Sequence, residues 1–239
     1  MSHIKTPHLD NYNPHQRKID TVAIIIYLGL LTYLLYLLIP FGITHPLLTF
    51  FSLILGMIGA DIGTGLLHWA GDTWGTPTWK IIGPAFIRPF RQHHVDQKAI
   101  TRHDFIETNG SNSLFSLPFL IIAFIIFHIV TSTFSMFLVA TFIFTALFGF
   151  LTNQFHKWAH MDNPPSIAKI LHKTGLILRP DHHHIHHTRP FEHHYAITNG
   201  WTNALTRKIK FYRALEFIIK KTTGAKPRES DLEVVAEQP

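Results

Sequence analysis

The chain has 239 residues, with 21 Lys and Arg, 15 Asp and Glu, 19 His and a formal net charge of +6. Charged residues make up 15% of it, well under the ~25% of a soluble globular protein, and the apolar residues fall in four blocks, which excludes an ordinary water-soluble fold. The lack of any cysteine excludes disulfide frameworks, thiolate zinc sites, cysteine nucleophiles and iron–sulfur clusters.

Residues 1–20 are polar and are expected to form a flexible arm; they do not resemble a cleavable signal peptide, because the apolar run that follows is too long. That run, Thr21 to Ile39, holds nineteen residues without a charge and ends at Pro40. At ~1.5 Å per residue it reaches ~28 Å, the hydrocarbon thickness of a bilayer. A second span is predicted at 47–67, with Asp61 inside it. A third is predicted at 113–130, with Pro118 near its start and His128 near its end, and a fourth at 135–155. The prediction is an all-α integral membrane protein, its four transmembrane helices paired as two hairpins beneath a cytoplasmic, histidine-rich helical cap.

The links within the two pairs, 40–46 and 131–134, contain no lysine or arginine. Every cation therefore falls in the arm, in the segment between spans two and three, or after Phe155. In a four-span chain those regions share one side of the membrane, and the positive-inside bias makes that side cytoplasmic, with both termini on it. The net positive charge suits anionic headgroups better than nucleic acid. Residues 74–90 and the basic amphipathic stretch 206–221, with Ile209, Tyr212, Leu215 and Ile219 on one stripe, are expected at the headgroup layer or as part of the cap. A single membrane domain over 21–223 and a flexible tail over 224–239 complete the expected organisation.

Fourteen of the 19 histidines lie in the two segments after spans two and four. His68 ends span two, with Asp72 four residues on; His93-His94 and His103 follow. His156-Lys-Trp-Ala-His160 comes directly after span four, and His183-His-Ile-His186-His187 lies further along. Helical residues three or four apart share a face, so such pairs can reach one metal ion or two adjacent ones. Glu107 and Glu192 are the only glutamates before Leu215, so a carboxylate-rich site of the ferritin type is unavailable and imidazole must dominate. Eight histidines, 68, 93, 94, 156, 160, 183, 186 and 187, exceed what one tetrahedral ion takes and suit two; His103 and Asp72 stand in reserve. His182, His184, His193 and His194 receive no role, His3, His8, His15 and His45 are incidental, and His128 is expected to make a local hydrogen bond. Asp61, an acid inside a span, is functional by default. It either orients a ligand histidine through the second ring N–H or anchors packing beside Gly56, Gly59, Gly63 and Gly65.

The motifs His68-Trp-Ala-Gly-Asp72-Thr-Trp-Gly75, Phe86-Ile-Arg-Pro-Phe-Arg-Gln-His93-His94, Ala99 to Gly110, Gln154-Phe-His156-Lys-Trp-Ala-His160 and His183 to His187 resemble those of the plasmanylethanolamine desaturases. The resemblance continues through Tyr195 to Trp201 and Thr223 to Arg228, covering about residues 20–230. It implies a multi-pass lipid desaturase with two histidine-bound irons, using O2 and electrons from a cytochrome b5-type or ferredoxin-type donor. The substrate it implies is an ether phospholipid, whose 1-O-alkyl chain becomes the vinyl ether chain of a plasmalogen. The metal ligands it implies are His68, His93, His94, His156, His160, His183, His186 and His187. A related plastid branch lacks a counterpart of His103, which makes His103 a branch-specific ligand or an outer partner of the metal site. Since the ether oxygen weakens the neighbouring C1′–H bond, hydrogen is expected to leave there first and then from C2′. The membrane would be the plasma membrane of a bacterium or the endoplasmic reticulum of a eukaryote. Two other readings compete: an acyl-lipid desaturase or hydroxylase with the same centre, and a metal-ion transporter. The transporter would need ligands along several spans at mid-depth, whereas only Asp61 and His128 lie within spans.

Overall fold

Each expected span falls in a longer helix, the third overrunning its helix by one residue at Val130, because apolar length fixes what crosses a bilayer whereas a cap fixes where a helix stops. A computed structural model of the chain describes residues 12–227 except 77, 81, 131, 189 and 190. Helix α1 is Pro14–Thr44, capped by the Asn13 side chain on His15 N, so the last residues assigned to a flexible arm are its first turns. Residues 1–11 of that arm and 228–239 of the tail lie outside the described residues. Pro40 does not end α1; the helix runs one turn past it and stops at His45, which also opens α2, Pro46–Thr73. Helix α2 therefore continues beyond Leu67 and carries both His68 and Asp72 on its last turns.

A π-helical turn, Gly83–Ile87, leads into α3, Arg88–Val95, and a short α4 spans Ala99–Arg102. Helix α5, Phe105–Ile129, starts eight residues before the expected span because Asp104 caps it, accepting from Glu107 N at 3.0 Å. Helix α6, Thr133–His160, opens on a Ser132/Ser135 capping box and runs on to hold His156 and His160 on its last turn and a half. These four long helices, α1, α2, α5 and α6, are each apolar enough to cross a membrane. No strand occurs among the described residues.

Helix α6 lies at the centre, packed on α2 and α5, while α1 packs on α5. Close approach of α2 to α6 requires Gly56, where an added Cβ would fall 2.4 Å from Phe144 Cβ and 2.9 Å from its backbone. Tyr27 stacks on Phe150 with centroids 4.6 Å apart and donates to the Ala146 carbonyl at 2.8 Å. The outward faces carry Val22, Ile25, Ile26, Ile43, Leu47, Phe50 and Ile129, all more than half exposed, an apolar surface that lipid rather than water covers.

The remaining helices gather at the end opposite the two hairpin turns. They are α7, Ser166–Thr174; α8, Pro180–His186; α9, Asn203–Lys208; and α10, Phe211–Thr223. The stretch expected as one amphipathic helix over 206–221 is broken at Lys210, whose φ is 53°. Tyr212, Leu215 and Ile219 pack against Trp69 at the end of α2, whereas Ile209 is left outside that cluster and exposed. Trp69 Nε1 donates to Glu216 at 3.1 Å and fixes α10 there.

Candidate metal centre

Four helix ends converge beneath the cap. The last turns of α2 and α6 bring His68, Asp72, His156 and His160; α3 brings His93 and His94; α8 and the residue after it bring His183, His186 and His187. The i, i+4 pairs 156/160 and 183/187 each place two rings on one face, as the spacing required.

The rings form two adjacent groups. In the first, one ligand atom from each of His93, His156, His160, His183 and His187 lies within 4.8 Å of every other. His156 Nε2 is 3.0 Å from His93 Nε2, 2.8 Å from His183 Nε2 and 3.3 Å from His160 Nε2, and His187 Nε2 is 2.9 Å from His183 Nε2. In the second, His68, His94 and His186 surround Asp72, whose Oδ2 is 3.3, 3.5 and 3.4 Å from their Nε2 atoms. The groups abut: the His186 and His187 rings are 5.2 Å apart and those of His183 and His186 5.7 Å.

Protons cannot satisfy this arrangement. A neutral imidazole nitrogen either donates or accepts, so His156 Nε2 cannot bond three other Nε2 atoms at once, whereas a shared cation accepts all their lone pairs. Burial, first, and the neighbouring imidazoles, second, push His93, His183 and His186 well below the ordinary histidine range, and His187 likewise. The rings are thus held neutral, the form a metal needs. Two of them are also oriented from behind: His68 Nδ1 lies 3.0 Å from the Tyr195 carbonyl and His186 Nδ1 3.0 Å from the His193 carbonyl. With Nδ1–H donating to a carbonyl, Nε2 is left as the ligand atom. A set of imidazoles with one carboxylate fits two transition-metal ions and does not fit magnesium or calcium.

Residues 57–230 match the lipid desaturase domain family, a span that includes all nine of these side chains. The chain belongs to the lipid desaturase family. It is 44% identical over 224 residues to the plasmanylethanolamine desaturase of Myxococcus xanthus, covering 92% of this chain and 78% of that one. It is 40% identical over 226 residues to plasmanylethanolamine desaturase 1 of Mus musculus, covering 92% and 83%. A chloroplastic fatty acid desaturase 4 of Arabidopsis thaliana is 33% identical over 180 residues, covering 72% and 52%. No solved structure matches the chain significantly. Family membership makes the protein an oxidoreductase that works on a lipid in a membrane.

His103 belongs to neither group. This desaturase turns it towards Glu107, with His103 Nε2 3.7 Å from Glu107 Oε1, and burial together with Arg88 and Lys157 lowers it to about 4. It lines a cavity instead, about 800 Å³ of empty space partly open to the surroundings. Phe86, Phe90, Ile100, Phe115 and Leu67 wall that cavity, and it reaches His93 and His156 of the first group.

Asp61 plays neither expected part. Its fully buried carboxylate accepts from Asn199 N at 3.0 Å, Gly200 N at 2.9 Å, Thr202 N at 2.9 Å and Thr202 Oγ1 at 2.7 Å. It contacts no ligand histidine; it anchors a loop just past the residues whose carbonyls orient His68 and His186. Those two carbonyls carry no side-chain signature, and so were invisible in the sequence. Phe191 and His194 take φ of 62° and 63° where the chain turns over the centre, and Phe191 stacks on His94 at 5.3 Å. His128 makes the local bond expected of it, 2.8 Å to the Phe124 carbonyl. His182, given no role, packs against His194 and lies 3.2 Å from Asn203 Nδ2, holding the same loop.

Proposed function

We propose that the protein introduces the 1′-alkenyl double bond into the 1-O-alkyl chain of plasmanyl phospholipids, forming plasmalogens. The observation that carries this reading is the pair of buried, imidazole-rich groups, the first of them lining an apolar-walled cavity through His93 and His156, in a chain 40–44% identical to two desaturases named for that substrate. Removing hydrogen from an unactivated methylene exceeds the reach of any side chain. His93, His156, His160, His183 and His187 would hold one iron, and His68, His94, His186 and Asp72 the other. Bound there, the irons would supply a two-electron oxidation of the chain, with two further electrons from a carrier completing the reduction of O2 to water.

The protein's own share is positioning. The phenylalanine-lined cavity takes the alkyl chain out of water, and the Tyr195 and His193 carbonyls hold two ligands in one tautomer. The cation-rich end is the cytoplasmic one, and a cytochrome b5-type or ferredoxin-type donor approaches there. An ester-linked chain is the second reading, favoured by the 33% identity to a chloroplastic fatty acid desaturase. Purified protein given alkyl-ether and diacyl phospholipids, O2 and a reducing system separates the two. Acid-labile aldehyde from the ether lipid is expected; desaturation of the diacyl lipid alone would replace the first reading with the second.

A further inference from the structure

Reducing O2 to two waters takes four electrons, and breaking two C–H bonds of a lipid chain yields two. Two more must therefore enter from outside, through a face that the lipid does not occupy. A second cavity, about 310 Å³ of empty space, offers such a face. Glu192, His193, Arg207, Lys210, Tyr212 and Arg213 line it, and no residue lines both this cavity and the phenylalanine-walled one. Arg213 is tied to Glu192 and Glu216. Arg207 and Lys210, both exposed, make no ion pair among the described residues, and neither does Lys208 between them. The backbone is held unusually here. Only three non-glycine residues among the described ones have a left-handed φ: His194 and Lys210 line this cavity, and Phe191 adjoins Glu192. Such conformations cost free energy and gather at functional sites.

Two short paths lead inward from the cavity, both to the second histidine group. His193 accepts from His186 Nδ1 through its own carbonyl at 3.0 Å. Tyr212 packs edge-on against Tyr195 with centroids 4.8 Å apart, and the Tyr195 ring lies 5.3 Å from His186 and 5.9 Å from His68. The phenylalanine-walled cavity touches only the first group, through His93 and His156. Each metal group thus has a cavity of its own. We infer that the cationic cavity is an electron port: it docks the acidic face of a one-electron carrier protein, and Tyr212, Tyr195 and the His193 carbonyl lead the electron to His186 and His68. This inference rests on the desaturase reading above and adds to it the face, the route and the charge of the partner. One electron arrives per docking, so a carrier docks twice in each turnover. The two electrons and two protons from solvent join the two hydrogens taken from the lipid, and one O2 leaves as two waters. A contact that forms and breaks so often suits exposed charge, which speeds association.

The test uses full-length, iron-loaded protein in detergent and the pre-reduced soluble domain of a cytochrome b5, an acidic carrier. Dithionite, a small reductant that needs no docking face, normalises each variant, and iron reduction is followed by stopped-flow absorbance. Arg207→Glu combined with Lys210→Asn, asparagine being tolerated in a left-handed backbone, is expected to slow association about tenfold or more at low salt. The difference should close at about 1 M salt, where the Debye length is ~3 Å. Lys169→Glu with Lys173→Asn on α7 removes the same charge elsewhere on the cap and should leave the carrier's rate unchanged. Wild-type rates in the first variant, or equal losses in both, overturn the assignment. Unchanged rates with lost retention on phosphatidylglycerol vesicles overturn it in favour of a lipid-binding face. Tyr212→Leu should slow reduction at saturating carrier, and Tyr212→Phe, which keeps the ring, should restore it; a wild-type rate in Tyr212→Leu overturns the route. If the carrier rates behave as expected while no vinyl ether ever forms, the port stands and the desaturase reading falls.

Discussion

Replacing Asp61 by asparagine tests whether a carboxylate outside both metal groups governs them. The carboxylate receives two donors on each oxygen, Asn199 and Gly200 N–H on Oδ1 and the Thr202 N–H and hydroxyl on Oδ2. An amide of the same shape keeps one oxygen; with its NH2 turned to Thr202, whose hydroxyl can rotate to accept, it leaves one backbone N–H facing a donor. A buried donor left without an acceptor costs about 1–3 kcal/mol. That loosens the loop without freeing it, because other ties remain: Leu178 N to Thr198 O at 3.0 Å, the Thr198 hydroxyl to Thr152 and Thr64 at 2.7 and 3.1 Å, the Ala196 backbone to Asn203 at 3.0 and 2.9 Å, and Trp201 Nε1 to the Gly175 carbonyl at 2.8 Å. The Tyr195 and His193 carbonyls then hold His68 and His186 less firmly, and weakening of such outer contacts lowers metal affinity about 10–100-fold. The assay is iron content per chain after dialysis against graded chelator, with helix content followed by circular dichroism. Asp61→Asn should keep its four long helices and lose iron at a chelator concentration about ten times lower or less. Iron retention equal to wild type would refute the argument that the loop orients the ligands.

His160→Ala and His103→Ala should separate by metal content: the first removes a donor from the five-histidine group and loses iron, while the second, outside both groups, retains wild-type stoichiometry. Equal loss in both would return His103 to the ligand set. Acidification should destabilise the metal-free protein. Unfolded histidines protonate below about 6.5, whereas burial keeps His93, His183 and His186 neutral in the native state and holds His103 at about 4. The unfolded chain therefore binds more protons, and each such group costs about 1.4 kcal/mol per pH unit below 6.5. For His103 the loss levels off near pH 4. Thermal midpoints at pH 7.5 and 5.5 check this, and an unchanged or higher midpoint at pH 5.5 contradicts it. Gly56→Ala should lower the yield of folded protein, since its Cβ meets the Phe144 backbone at 2.9 Å, whereas Gly29→Ala, with nothing within 4 Å, should be neutral. Size-exclusion profiles of the two variants, compared with wild type, decide the point.

Much of the fold was legible because a bilayer imposes a coarse rule: some nineteen uncharged residues must form a helix whatever neighbours they have. Helix ends were not, since they depend on caps. Asp104 starts α5 by a side-chain bond and Ser132 starts α6 in a reciprocal box with Ser135, neither of which hydropathy registers. Near the centre, spacing disclosed which histidines share a face, as with 156 and 160, but not which group each would join. That choice follows from the crossing of α2, α3, α6 and α8, contacts remote in sequence. His103 shows the limit most clearly: the motifs leave it either a ligand or an outer partner of the metal site, and the turn before α5 directs its ring towards Glu107. The kink at Lys210 was equally hidden, a left-handed residue within an otherwise sound amphipathic pattern.

Helix α5 contributes Glu107, Thr108, Ser111, Asn112 and Phe115 to the cavity and no donor atom to either metal group. One side of the cavity is thus borne by a helix that offers the ions nothing, while α2, α3 and α6 supply both the rest of its wall and ligand side chains. Substitutions along one helix can lengthen, narrow or re-aim the berth while the oxidising machinery stays whole. A family built in this way can acquire new substrates without relearning its chemistry.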